Sequence, residues 1–469
     1  MHKIVTILAG VVIILALTIG CAPAPAPPGP TPPGPTPPGP TPPGPTPPTI
    51  TTLKIAQMAH LTGPYTEMSV PMNVMAMDYV YWWNEKVGKE KGLHLDFLTE
   101  DCRCDATLIS EIWMRYRDAG VVGVYFTTSA ETNMLIEELE KSQIPATCSS
   151  QSWYAYIPTS WAFNGSINDE DELVTFMKWL DTPGGKEHEK DKPWMKEGRK
   201  PSIGFIGWDN PYGRAPIGPL YEACKKFNMP WAGAEIIPYV FPTAETQLKR
   251  LESRGADYIG MSMCGAAPAI VWRDCYRLKF PEKGIDTFGH SGVNVMTQVR
   301  LAEEAGEGTM GCTPYGLVRE GFQAWPDMQW AHKERTGIEL EYSDTMWPGY
   351  GPTRTLCEAV RWAVEEHGVA AAKLTGKDVY NALTDPEFEV DMRGAYGGLI
   401  YYPDGLGVSG CHVTRVVQWH WKPSEVGKGS MEPLSDFISF PDWVFANTEA
   451  RRAELMASEK EALKGPWTP

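Results

Sequence analysis

After its first twenty residues the sequence has no apolar run approaching the roughly 20 residues that a membrane-spanning helix needs, which excludes such a helix from there on. No Gly-x-x-x-x-Gly-Lys loop appears, and the two stretches with Gly-x-Gly-x-x-Gly spacing, "GEGTMG" at 306–311 and "GLGVSG" at 405–410, do not open a helical segment as a dinucleotide fingerprint must, so nothing supports a phosphate or NAD site. "GHSGV" at 289–293 approaches a hydrolase nucleophile elbow, but Val293 stands where the second glycine belongs. Zinc-type pairs at Cys-x-x-Cys or His-x-x-x-His spacing are missing. "DCRCD" offers a single Cys-x-Cys, with His412 and His420 as remote partners. The chain therefore reads as a non-enzyme, without cofactor or metal. Positive charge is scarce too: 42 Lys and Arg against 58 Asp and Glu give a net charge of −16. That balance argues against nucleic acid as a partner. Cysteines are few and scattered, ten in all. Setting Cys21 aside leaves an odd number, hence at least one thiol outside any internal disulfide.

What is present begins with a signal. Met1-His2-Lys3 is a short basic start, Ile4 to Ile19 is almost wholly apolar, and Gly20 is the small residue a signal peptidase requires, so residues 1–20 read as a signal peptide. Thr18-Ile19-Gly20-Cys21 resembles the lipobox of bacterial lipoproteins, with Thr18 where leucine is usual. The resemblance implies an acylated Cys21 and a lipid-bilayer anchor. Residues 22–48 are proline, glycine, alanine and threonine with four copies of "PPGPT", a period that is not collagen's Gly-X-Y. Residues 21–49 are thus expected to be a polyproline II tether, reaching on the order of 80 Å at ~3.1 Å per residue.

From residue 50 onward apolar strand segments alternate with helical ones. "TLKIAQMAHLTG", "LHLDFLTEDCRC" and "VVGVYFTT" each run into a helical stretch, and a second series opens at "PSIGFIGWDN". Repeated βα units with apolar strands predict an α/β fold of parallel sheets covered on both faces. A break near Asn168 predicts two lobes, with ligands in the crevice at the carboxyl ends of the strands.

An ordered set of segments carries a more specific likeness: "IAQMAHLTGPYTEMS", "AGVVGVYFTTSAETNMLIEELEKSQIPATCSS", "IGFIGWDNPYGRA", "ETQLKRLESRGADYIGMSM", "GHSGVNVMTQVRLAEEAGEGTMGCTPY", "GYGPTRTLCEAVRWA" and "LTGKDVYNAL". Over about residues 52–422 the chain resembles the type I periplasmic binding proteins, which serve ABC importers of branched-chain amino acids, amides and aromatic acids. The resemblance implies two Rossmann-like lobes joined by three hinge crossovers. Residues 50–167 and 313–388 would form the first, 168–312 and 389–425 the second, and 426–469 an extension. It implies no catalysis, but capture of a small ligand for an ABC-type permease in the cytoplasmic membrane, on the extracytoplasmic side. A ligand-sensing lipoprotein working with a membrane signalling partner is the alternative, and a scaffold that has lost the pocket is a third.

Thr128 and Glu131 have capping-box spacing, which starts a helix whose first N–H groups suit a carboxylate. By the resemblance Ser129 falls on the carboxylate-binding serine, and Ser150 and Ser152 on two further polar positions. Tyr212 falls on an aromatic wall. Trp208 on the same loop, and Trp153, Tyr154 and Tyr156 after the serines, are further candidates for stacking. With 18 Trp and 19 Tyr in the chain, several of these must serve the core instead. Amino-acid binders of this family hold the ligand's ammonium with an acid where this chain has Ser291, next to His290, and Met263-Cys264 replaces a family tyrosine. An ammonium without a counter-charge is costly, so a carboxylate lacking an amine, or a neutral amide, is expected. The charge-alternating segment within 442–465 predicts a solvated helix lying on a lobe.

Overall fold

The computed structural model describes residues 50–469 except 64, 150–151, 158–159, 294, 403–409, 422–428 and 441–448. The signal, Cys21 and the proline-rich stretch lie outside the described residues. Among those described, no helix is long and apolar enough to cross a membrane, and all nine cysteines are free thiols.

The first sheet holds β1 (Thr51–Ala59), β2 (Leu93–Asp101), β3 (Val124–Phe126), β4 (Ala146–Cys148) and β5 (Ala162–Asn164) in the order β2-β1-β3-β4-β5. Every pairing in it is parallel. Successive side chains of a strand face opposite sides, and β1 feeds two cores in this way. Leu53 and Ile55 enter a core with Tyr79, Trp83 and Trp347, while Ala56 and Met58 enter another with Trp113, Phe126 and Leu135.

The second sheet is built from β6 (Ile203–Trp208), β7 (Trp231–Ile237), β8 (Tyr258–Ser262), β9 (Asp286–Gly289) and β10 (Met310–Thr313), all parallel. After the short pair β11 (Glu389–Val390) and β12 (Ile400–Tyr401), the strands β13 (Val413–Trp421), β14 (Gly429–Pro433) and β15 (Ile438–Ser439) extend this sheet antiparallel. Ile203 and Phe205 face one core, Ile206 and Trp208 the other.

The chain crosses between sheets after β5, again after β10, and a third time at β13. That third crossing lies later than expected. Val390, Met392, Tyr396, Ile400, Tyr402 and Cys411 all pack in the first lobe's core. Tyr396 Oη donates to Trp347 O at 2.9 Å and Tyr402 Oη to Asn164 O at 2.9 Å. Residues 389–402 and 410–411 therefore belong to the first lobe, and β14 and β15 carry the second lobe beyond residue 425.

The C-terminal helix (Glu449–Ala462) is docked rather than solvated. It lies so close to the helix Ile217–Phe227 that a Cβ on Gly218 would stand 2.6 Å from Leu455 O. Arg214 pairs with Glu459 at 2.9 Å and Arg451 with Glu222 at 2.8 Å. Trp231 Nε1 donates to Ala462 O at 3.1 Å, and the backbones of Trp231 and Trp467 exchange hydrogen bonds at 2.7 and 2.8 Å. Leu455 joins a first-lobe core and Ala462 a second-lobe core, so the helix straddles the two lobes. Leu455, only 2% exposed, is expected to cost about 2–4 kcal/mol when changed to alanine. Urea unfolding would check this, since a solvated helix would leave the midpoint unmoved.

Candidate functional site

The carboxyl ends of both parallel sheets open on one cleft of about 580 Å³, a size suited to a small-molecule ligand. Tyr65 follows β1, Cys104 follows β2, and Thr127, Thr128 and Ser129 follow β3. From the other lobe come Trp208 and Tyr212 at β6, Tyr239 after β7 and Cys264 after β8.

The first-lobe wall is the start of the helix Ser129–Ser142. Thr128 caps it, its Oγ1 accepting the Ala130 N–H at 3.2 Å. Ser129 occupies the first helical position, largely buried at 8% exposure but lining the cleft. First-turn N–H groups have no intrahelical acceptor and carry partial positive charge, so this wall suits an anion. Glu131 does not point back to the Thr128 N–H as a capping box implies. It is buried against His60, with Oε1 2.6 Å from Nε2, and the Thr128 hydroxyl bonds its other oxygen.

The opposite wall is aromatic. Trp208 packs on Tyr239 with centroids 4.5 Å apart and on Tyr212 at 6.3 Å. Burial pushes the Tyr65 and Tyr212 phenols and the Cys264 thiol well above their ordinary values, so all three stay protonated and able to donate. Behind Tyr212 lies His290, whose ring meets it edge-on at 5.7 Å and whose Nε2 is 3.3 Å from Oη. His290 Nδ1 accepts the Gly292 N–H at 3.0 Å and lies 3.2 Å from Asp169 Oδ1. Burial lowers this histidine's pKa, against the opposing pull of Asp169.

Past Tyr65 and Tyr212 the crevice narrows to about 20 Å³, lined by Ser149, Asp169, Ser291, Gly292 and Asp344 among others. A Cβ on Gly292 would meet Tyr212 Oη and His290 Cε1 at 3.0 Å, tighter than an ordinary contact, so a larger residue there would press on both rings. The Ser291 N–H donates to the Glu172 carboxylate.

Of the residues singled out in the sequence, Ser129, Trp208, Tyr212 and Cys264 line the cleft, Ser291 lies in its narrow end, and His290 supports Tyr212. Trp153 and Ser152 lie elsewhere. The Trp153 indole donates to Ala215 O at 2.9 Å, its backbone N–H to Glu170 at 2.7 Å, and its ring stacks on Tyr154 at 4.0 Å near Arg451 and Leu455. Ser152 is wholly buried at the start of that turn. Ser150 falls outside the described residues. Tyr65, Cys104, Tyr239 and Asp169 went unanticipated. Asp169 bears on the expectation of a ligand without an amine: an acid does border the crevice, from the helix Asp169–Leu180 rather than from the 289–292 loop. The sequence signal was the acidic start "NDEDE", which carries no indication of where it points.

Residues 52–419 match the family described as periplasmic binding protein. No curated relative matches the chain. Among solved structures, a branched chain amino acid ABC transporter from Thermus thermophilus with bound valine superposes with a TM-score of 0.66 at 16% identity, covering 83% of this chain and 97% of that one. A solute binding protein of an ABC transporter from Rhodopseudomonas palustris, in complex with 3,4-dihydroxy benzoic acid, gives 0.64 at 11% identity, with 83% and 98% covered. A fatty acid ABC transporter substrate-binding protein from Thermomonospora curvata gives 0.65 at 14%, with 86% and 96% covered.

Proposed function

Because the chain belongs to the periplasmic binding protein family, we propose that it is an extracytoplasmic solute-binding protein that captures a small carboxylate between its lobes and delivers it to an ABC permease. The observation that carries the ligand class is the pairing of an anion-suited helix start at Ser129 with the aromatic wall of Trp208, Tyr212 and Tyr239 across one cleft. The carboxylate sits at the helix start, and a planar or apolar body lies on the rings. Asp169 and the neutral phenols at the narrow end favour a hydroxyl or other donor on the far side of the ligand. Contacts from both lobes are complete only when the cleft is closed, so ligand binding shifts the population toward closure. The closed form then docks on the permease, while an acylated Cys21 and the proline-rich tether keep the protein within its reach.

A thermal-shift screen of the refolded protein against amino acids, amides, and aliphatic and aromatic carboxylates tests this reading. A ligand at about a thousand times its Kd adds roughly 4 kcal/mol. Hydroxylated aromatic carboxylates are expected to raise Tm by several degrees, and Tyr212→Ala to abolish most of the shift. Response to amino acids alone would assign Asp169 to an ammonium and overturn the proposed class. Silence across the panel from folded protein would overturn ligand capture itself.

A further inference from the structure

Three segments ending at the cleft bring together four groups that the proposed ligand contacts do not use. His60 follows β1, Cys102 and Cys104 flank the turn after β2, and Glu131 lies in the first turn of the helix Ser129–Ser142. The His60 and Glu131 side chains are both 0% exposed, with Nε2 2.6 Å from Oε1. The other ring nitrogen faces sulfur: Nδ1 is 3.1 Å from Cys104 Sγ and 3.5 Å from Cys102 Sγ. Cys102 Sγ also lies 3.7 Å from Nε2 and 3.7 Å from Glu131 Oε1. Nδ1 accepts the backbone N–H of Cys104 at 3.0 Å, which leaves Nε2–H to donate to Glu131 and puts the basic lone pair on the thiol side. The intervening turn is strained, with Arg103 and Cys104 both at positive φ, 55° and 58°. Consecutive left-handed residues other than glycine are costly and cluster where a site needs them. Cys104 is the exposed member of the described cysteines, and it lines the cleft.

An ordinary core gains little from such an arrangement. A buried carboxylate bonded to a neutral histidine is costly to desolvate and commonly does no better than apolar side chains of the same volume. A carboxylate behind a histidine whose second nitrogen faces two thiols is, however, the order found around protein-bound metals, where the carboxylate fixes the ring and its tautomer. On a four-coordinate zinc, with Zn–N about 2.0–2.1 Å and Zn–S about 2.3 Å, neighbouring N and S donors stand about 3.5 Å apart. Cys104 Sγ, at 3.1 Å from Nδ1, is close to that place. Cys102 Sγ, nearly equidistant from Nδ1 and Nε2 at 3.5 and 3.7 Å, lies beside the ring and must turn toward the Nδ1 lone pair for both thiolates to reach one ion. We propose that Cys102, Cys104 and His60, oriented by Glu131, form a binding site for a thiophilic divalent cation, zinc being the ion the donor set fits, on the first-lobe wall of the cleft. Binding replaces the two thiol protons, which leave to solvent, and exchanges the Cys104 N–H bond on Nδ1 for a metal–nitrogen bond. Cys104 borders the cleft, so the fourth position opens there, to water or an anion.

The test uses the full chain, reduced and stripped of metal. Titration with Co²⁺ is expected to give a thiolate-to-cobalt charge-transfer band and the intense visible bands of a four-coordinate site, saturating at one equivalent and displaced by Zn²⁺. Cys104→Ser and Cys102→Ser should each reduce the charge-transfer intensity and weaken zinc binding by at least about tenfold, and Glu131→Gln should weaken it by about 10–100-fold while keeping the spectrum. Cys275→Ala, at a buried thiol of the second lobe, should leave spectrum and affinity unchanged. Zinc at about a hundred times its Kd should raise the Tm of the parent protein by a few degrees, a readout that stands even if Cys102→Ser does not fold. Absence of a thiolate band in folded parent protein, or a band untouched by Cys104→Ser, would overturn the proposal.

Discussion

Replacing Gly349 by valine is expected to destabilise the protein by at least about 3 kcal/mol. Gly349 sits in the first turn of the helix Trp347–Glu365, where it meets the helix Thr66–Trp83. A Cβ there would stand 2.1 Å from Met72 O and 2.7 Å from Met72 C. A backbone carbonyl in mid-helix has no rotamer to yield with, so the helices must separate. Separation opens the core where Tyr79 packs edge-on against Tyr350 at 5.2 Å and Trp347 is wholly buried. Two residues on, Gly351 has the same role, with Tyr396 Oη at 2.3 Å and Gly165 O at 2.5 Å from its missing Cβ. Gly184→Ala is the control, since its nearest neighbour is Thr182 Oγ1 at 4.0 Å; it should stay within about 0.5 kcal/mol of the parent. Urea midpoints measure both. A Gly349→Val midpoint equal to that of the parent would show that these helices do not approach as described.

The same helix illustrates what the sequence makes legible. "GYGPTRTLCEAVRWA" was recognisable by resemblance, but the reason for its first glycine is a contact with a helix almost 280 positions away, which no local pattern encodes. The strands were readable because parallel sheets covered on both faces need apolar runs, and "IGFIGW" is buried throughout. Ser129, Tyr212 and Cys264 could be placed by the family resemblance, with Trp208 beside Tyr212, and each lies at or just past the carboxyl end of a strand that opens on the crevice. That rule reaches one turn past the strand and then fails. Trp153, five residues after β4, is turned away by its bonds to Ala215 and Glu170. Asp169 enters from a helix start, outside the strand-end logic altogether. Glu131 had the spacing of a cap, yet a buried histidine 71 positions earlier outcompetes the helix N-terminus for its carboxylate. The docking of the C-terminal helix was hidden because it rests on few apolar side chains and on one glycine, Gly218, in another element.

Replacing Asp344 by asparagine is expected to change how stability depends on pH, by an amount that can be isolated. Asp344 lies at the narrow end of the crevice, where its Oδ2 accepts the Met296 N–H at 2.7 Å. That bond joins a turn packed on the first lobe to a helix of the second. Burial pushes the carboxyl up from 3.8 to about 6, while the N–H bonds and Arg300 pull it down less strongly. Between pH 3.8 and about 6 the folded protein therefore keeps a proton that the unfolded chain releases. Stability from this group is complete below pH 3.8 and is lost as pH rises through about 6. A rise of this size corresponds to about 3 kcal/mol. Asparagine still offers Met296 an acceptor oxygen but never ionises, so the stability of Asp344→Asn relative to the parent should be greater at pH 8 than at pH 4 by about that amount. Glu170 and Glu172 are also pushed up by burial, and they give the parent curve the same sign of slope. They are common to both proteins, so the difference between the two urea series reports Asp344 alone. A difference that is flat across the range would mean that the carboxylate is charged at pH 5 in the folded state, and that the bond between the lobes is charge-assisted at every pH at which the protein works.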